Sequence, residues 1–240
     1  MVNKNVLLSC LFFAFSFSAG AQTVDEIFSK YISFTGGEQH WKSIHSIVAS
    51  GTYYYGGMEF PFTSYSKAPN LYKFIVPFKG KYFAQAFDGK EGWKIDAFKN
   101  ETKKTMLTGK AALAMANEAD VELESPFIDY QKKGHSATLD GVDTIDGKTC
   151  FKVRFRRNNA DTETYYFDKL SYELTKKEAL AKNTELDNSL LETFYSDYED
   201  VKGLKIPFKS VSKVKGQTIL TIIVKKVEVD VPVSDDIFKP

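Results

Sequence analysis

Cysteine, histidine and tryptophan are scarce in this chain, and net charge is almost absent. Two cysteines, three histidines and two tryptophans occur in 240 residues, and 32 Lys+Arg against 31 Asp+Glu leave a formal charge of +1. A near-neutral chain lacks the basic surface that nucleic acid demands, so no nucleic-acid partner is expected. The histidines are too few and badly spaced for a metal site: His40 and His45 are five apart, which does not put two ligands on one helical face. No CxxC, P-loop, GxSxG or GxGxxG motif occurs. No catalytic residue, metal or cofactor is therefore assigned, and the chain is not read as an enzyme. A hydrolase on this chain would need a polar catalytic cluster that only folding could assemble.

Long apolar runs are also missing, except at the start. Lys4 is followed by a mostly apolar run from Val6 to Phe17, then Ala19-Gly20-Ala21 before Gln22. This is the pattern of a secretory signal peptide cleaved after Ala21, and the run is shorter than the ~20 residues a membrane span needs. Leu7-Leu8-Ser9-Cys10 resembles a lipobox, but lipidation of Cys10 leaves almost no apolar run ahead of it. Residues 1–21 are read as the leader and 22–240 as one folded domain outside the cytoplasm. Removing the leader leaves Cys150 alone, so no internal disulfide can form.

What the chain has in quantity is aromatic rings: 20 Phe and 13 Tyr. Only four of the Phe lie in the leader, so the enrichment belongs to the folded part. Thr23 can cap a helix whose apolar positions Val24, Ile27, Phe28, Tyr31 and Ile32 share one face, ending at Gly36-Gly37. Glu38 to Ser43 adds a turn carrying Trp41. From Ile47 the period becomes two, and Gly56-Gly57 marks a hairpin between Ile47–Tyr55 and Met58–Ser66. Further strands follow, interrupted by an Ala-, Leu-, Met- and Lys-rich segment, Thr105 to Glu118, that reads as a helix. Ser125-Pro126 is expected to start another helical turn, and strands resume from Ser136 to Val229, with Ser171 to Lys176 among them. The count is about ten or eleven strands. The fold class is mostly β with α: one extended, curved antiparallel sheet, its concave face covered by helices.

The rings alternate along the strands. Tyr53, Tyr55, Met58, Phe60 and Phe62 share a face, as do Tyr72 and Phe74, and Phe151, Val153 and Phe155 oppose Lys152, Arg154 and Arg156. Phe167 and Phe194 could join the same side. Two readings of these positions compete: a filled core, or a wall around an apolar cavity suited to acyl chains or a lipid. Met106, Ala112 and Met115 suit a movable lid over such a cavity, and equally serve as helix filler. Cys150 beside Phe151 reads as a buried structural thiol, and the Arg154-Arg156-Arg157 cluster as a solvated strand face.

Taken together, the order of these marks resembles the LolA-like superfamily of periplasmic outer-membrane lipoprotein carrier and sorting proteins. The resemblance rests on the leading helix ending in Gly36-Gly37 and Trp41 to Ile47. It continues through Phe87-Asp88-Gly89 with Gly92-Trp93, Gly141 to Phe155, Tyr165-Tyr166-Phe167-Asp168 and the stretch "DYEDVKGLKIPF" around Gly203 and Pro207, to the ending Asp236-Ile237-Phe238. It implies an unclosed β-barrel with a hollow, helix-covered apolar inside, and an exported monomer that binds or carries a lipid or acylated lipoprotein, with at most peripheral membrane contact. An envelope protein partner, for a sensor or interaction domain on the same fold, is the alternative it leaves open. The family's functional arginine near the start of the barrel has no clear counterpart here.

Overall fold

The computed structural model describes residues 22–123, 125–181 and 189–240, with no side-chain detail at 121–123. The leader, its cleavage after Ala21 and Cys10 lie outside the described residues. Helix α1 (Val24–Phe34) starts at a capping box, with the Thr23 hydroxyl accepting from the Glu26 N–H and the Glu26 carboxylate accepting from the Thr23 N–H. A short helix α2 (Glu38–Ser43) follows a glycine corner. At Gly36, φ is +121° and an added Cβ would meet the Gly203 carbonyl oxygen at 2.6 Å, so glycine is what lets this corner sit against the barrel.

Thirteen strands follow among the described residues. The first six are β1 (Ser46–Tyr55), β2 (Met58–Lys67), β3 (Leu71–Phe78), β4 (Lys81–Phe87), β5 (Gly92–Ile95) and β6 (Thr105–Met106). Helix α3 (Gly109–Leu123) then crosses to β7 (Ser136–Ile145), β8 (Lys148–Arg156), β9 (Thr162–Asp168) and β10 (Leu174–Leu180). The chain finishes with β11 (Leu190–Val201), β12 (Leu204–Val214) and β13 (Gln217–Val229). All belong to one antiparallel sheet in the order β6-β5-β4-β3-β2-β1-β13-β12-β11-β10-β9-β8-β7. The first six strands step one way from β1. The last seven return from the far edge until β13 pairs with β1, so β6 and β7 stay apart and the barrel is unclosed.

The strand count exceeds the expected ten or eleven. The strand expected to hold Trp93 and Ile95 forms as β5, but β6 has only two residues, too short for alternation to register. Thr105–Met106, expected to begin the helix, is instead held as a strand by pairing with Trp93 and Lys94 of β5. The expected helical turn after Pro126 is a run of turns, 126–134, with Asp129 at φ +52°. The Gly56-Gly57 hairpin forms as read, both glycines having positive φ.

Two aromatic clusters flank the middle of the sheet. In one, Phe28 of α1 stacks on Phe127 at 4.4 Å over Phe151, Val153, Phe155, Tyr165 and Phe167. In the other, Met115 and Ala119 of α3 pack on Phe60, Phe62, Tyr72, Phe74, Val76 and Phe87. Phe194 is a correction: it faces the opposite side of the sheet, beside Ile145, Cys150 and Tyr166. That opposite face is also covered at β3–β5. There the C-terminal tail lays Phe238 down fully buried, and the Trp93 indole N–H donates to the Phe238 carbonyl at 2.7 Å. Lys73 and Lys104 hold the carbonyls of Ile237 and Lys239.

Candidate functional site

Between the two aromatic clusters the inner face of the sheet carries small residues. Ala49 and Gly51 of β1, Ser64 and Ser66 of β2 and Ser210 of β12 occupy inward positions where the flanking strands place rings. Small side chains cannot reach the helices, so a hollow of about 290 Å³ is left over them. Eight contiguous strands, β3 through β1 and β13 through β9, contribute to its wall. Phe62, Phe74, Leu174, Ile206, Ile222 and Val224 give it an apolar lining, with Tyr31, Trp41 and Phe127 from the covering segments.

Two β-bulges shape that wall. In β13, Ser50 pairs with Lys226 and Gly51 with Val224, leaving Lys225 as an extra residue, so Val224 and Val227 both face inward. In β10, Leu174 pairs with Phe167 and Lys176 with Tyr166, making Thr175 the extra residue and aiming both Leu174 and Lys177 at the cavity.

Lys177, from the bulged part of β10, is a charged residue in the lining, as is Lys205 of β12. Lys177 shares the cavity wall with Glu118 of α3, so this wall is not exclusively apolar. The Tyr195 hydroxyl and the carboxylates of Glu163 and Glu118 oppose the effect of burial and hold its ammonium well above the usual lysine range. Behind it lies a buried chain of charge. The Tyr165 hydroxyl donates to Glu163 at 2.8 Å, the Arg157 Nε donates to the same carboxylate oxygen at 2.9 Å, and the Arg157 Nη1 reaches Asp120 of α3 at 3.1 Å. Burial works against the Glu163 charge, but Lys177 and Arg157 outweigh it and hold the carboxyl below its usual range. Burial, then Arg157, push His135 down, and its Nδ1 accepts from the Asn158 N–H at 3.0 Å. Arg157 is thus a buried anchor, not part of a solvated face. The chain turns back immediately after β8, with the Arg157 N–H donating to the Asp161 carbonyl, which takes this side chain out of the strand's alternation.

The residues singled out from the sequence divide into groups. Phe62, Tyr72 and Phe74 line the cavity. Tyr53 and Phe60 pack in the adjacent cluster, and Tyr55 and Met58 stand exposed at its rim. Phe151, Val153 and Phe155 do not line it; α1 and Phe127 cover them completely, because a strand face that large-ringed leaves no room beneath a helix. Met106 lies exposed in β6 and not on the helix, while Ala112 and Met115 sit on α3, Met115 buried. Cys150 is fully buried 3.4 Å from the Thr175 hydroxyl, and burial pushes its thiol up. Among the described residues no three His, Cys, Asp or Glu side chains gather as metal ligands. Lys177, Tyr195, Ile222 and Val224 escaped the sequence reading. Lys177 gave no signal, since a bulge placed it inward.

An unclosed antiparallel half-barrel with a hollow between its sheet and its helices is a LolA-like fold. The chain is similar over 91% of its length, at 11% identity and a TM-score of 0.60, to 98% of a DUF1329 family protein from Desulfovibrio piger ATCC 29098. It is similar over 92% of its length, at 11% identity and a TM-score of 0.57, to 99% of the LolA superfamily protein NE2245 from Nitrosomonas europaea. A third likeness, over 89% of this chain and 95% of the other at 10% identity and a TM-score of 0.57, is to a protein from Vibrio parahaemolyticus described as a putative outer membrane lipoprotein-sorting protein domain. No family profile matches the chain, and no curated protein does.

Proposed function

We propose that this chain is an exported carrier or binder of a lipid or a lipoprotein acyl chain, held in the cavity between the two aromatic clusters. The observation that carries the reading is the hollow itself: about 290 Å³ under small inward residues, walled by Phe62, Phe74, Ile222 and Val224. That volume is near the lower end of the roughly 300–1,000 Å³ of small-molecule pockets, a size suited to a single acyl chain. Each methylene withdrawn from water contributes about 0.8 kcal/mol, so one chain supplies ample affinity while leaving exchange possible. Lys177 and Glu118 would meet the polar end of the ligand. The resemblance to lipoprotein-sorting proteins supports the same reading at the level of fold.

Native mass spectrometry of the protein purified from the cell envelope tests it. The expected result is an adduct of acyl-chain mass that solvent extraction removes and incubation with a diacylated peptide or a fatty acid restores. A protein that never retains or regains any acylated molecule would end the proposal.

A further inference from the structure

The apolar inner face runs past the packed core to one end of the sheet. Tyr55 and Met58, paired across the β1–β2 turn, are 41% and 51% exposed, and Tyr54 and Tyr82 are exposed at the same end on the sheet's other face. Leu180 and Leu190, also exposed, pair at the same end on the sheet's outer face, in step with Glu178 and Phe194, since Leu191 meets Val214 and the following β12–β13 turn lies next to Tyr55. The tips are rigid. Phe98, on the 3-10 turn Ala97–Lys99, touches Tyr55, Phe60, Phe78 and Phe83 with ring centroids 4.9–6.0 Å apart. Exposed Lys79, Lys81, Lys99 and Lys215 stand on these turns against exposed Glu59 and Glu101, so the rim is basic on a chain that is neutral as a whole.

We propose that this end docks on an anionic phospholipid surface, with the β1–β2 turn seated among the headgroups. Tyrosine and methionine present apolar surface that belongs at a membrane interface, and lysine beside them supplies attraction to anionic lipid. A fixed ring platform has little conformational entropy left to lose on docking. The inference goes beyond ligand binding, and vesicle binding can be measured without any ligand, so either idea can fail while the other stands.

The test is co-sedimentation of the full chain with vesicles of phosphatidylcholine alone or mixed with phosphatidylglycerol. The expected result is binding to the mixed vesicles and its loss in 1 M salt, where charges are screened beyond about 3 Å. Tyr55→Ser with Met58→Ser should weaken binding at least about tenfold, and Lys79→Gln with Lys81→Gln by roughly fivefold per lysine. Leu170→Ser, at a side chain 93% exposed on the opposite end, should bind as the parent does. Lys79, Lys81 and Leu170 are on the surface, so their variants should keep the parental unfolding midpoint, and the Tyr55/Met58 variant, which also loses the Phe98 contact, is assayed at a temperature where circular dichroism shows it folded. Failure of the parent to bind mixed vesicles, or parental binding by either double variant, overturns the proposal; it is the result that a protein-docking role for this rim would give.

Discussion

Arg157 concentrates the buried charge of this protein into one side chain. It is 3% exposed, bridges Glu163 of β9 and Asp120 of α3, and leaves its Nη2 without a hydrogen-bond partner. A pair of this kind adds little to stability when intact, but removing one partner strands the other. Arg157→Met should therefore cost about 3–5 kcal/mol in chemical denaturation, because Glu163 is left buried with only Lys177 and the Tyr165 hydroxyl to balance it. Adding Glu163→Gln should restore part of that loss, since a neutral amide is cheaper to bury than an unpaired carboxylate. A double variant no more stable than Arg157→Met would show that the arginine acts through packing alone. Sequence reading placed this residue on a solvated face with Arg154, and for Arg154 that holds: it is exposed and pairs with Asp140 across the edge. The two differ by where the strand ends, which alternation marks only to within a residue or so.

At the scale of elements, local chemistry was legible and curvature was not. The Thr23 cap, the Gly56-Gly57 turn and the run of alternating strands all follow from residue type. The bulges at Lys225 and Thr175 do not, because each inserts one residue into an otherwise regular pattern, and they decide which side chains enter the cavity. Only the consecutive exposed pair Lys225-Lys226 hints at the first. Gly51 is the other half of that device. A Cβ there would lie 2.0 Å from the Ile223 carbonyl oxygen and 2.9 Å from the Val224 Cα, so β13 approaches β1 closely only because the side chain is missing. Gly51→Ala should force the two central strands apart and cost about 1–3 kcal/mol, read as a lowered unfolding midpoint. The same substitution at Gly216, where no atom lies within 4 Å but φ is +77°, carries backbone strain without a clash; a loss at Gly51 no greater than at Gly216 would refute the close-approach account.

At the scale of the whole molecule the aromatic residues do a different task from the one alternation suggests. They build two solid clusters at the sides of the sheet, and the hollow lies between them where the inward residues are Ala49, Gly51, Ser64, Ser66 and Ser210. Small residues at the centre of a sheet forgo apolar contact that larger ones would supply. Filling the space therefore separates function from packing. Ala49→Phe points a ring from the middle of β1 into the cavity; the new contact gains about 1.5–3 kcal/mol and crowding costs about 1–3, so the unfolding midpoint should change little. Ligand retention in native mass spectrometry should nevertheless disappear, because the ring takes the volume a chain needs. If the hollow were an incidental packing fault, Ala49→Phe would leave any bound acyl mass as it is in the parent. A stable protein that has lost its ligand is the outcome expected of a cavity kept open for binding.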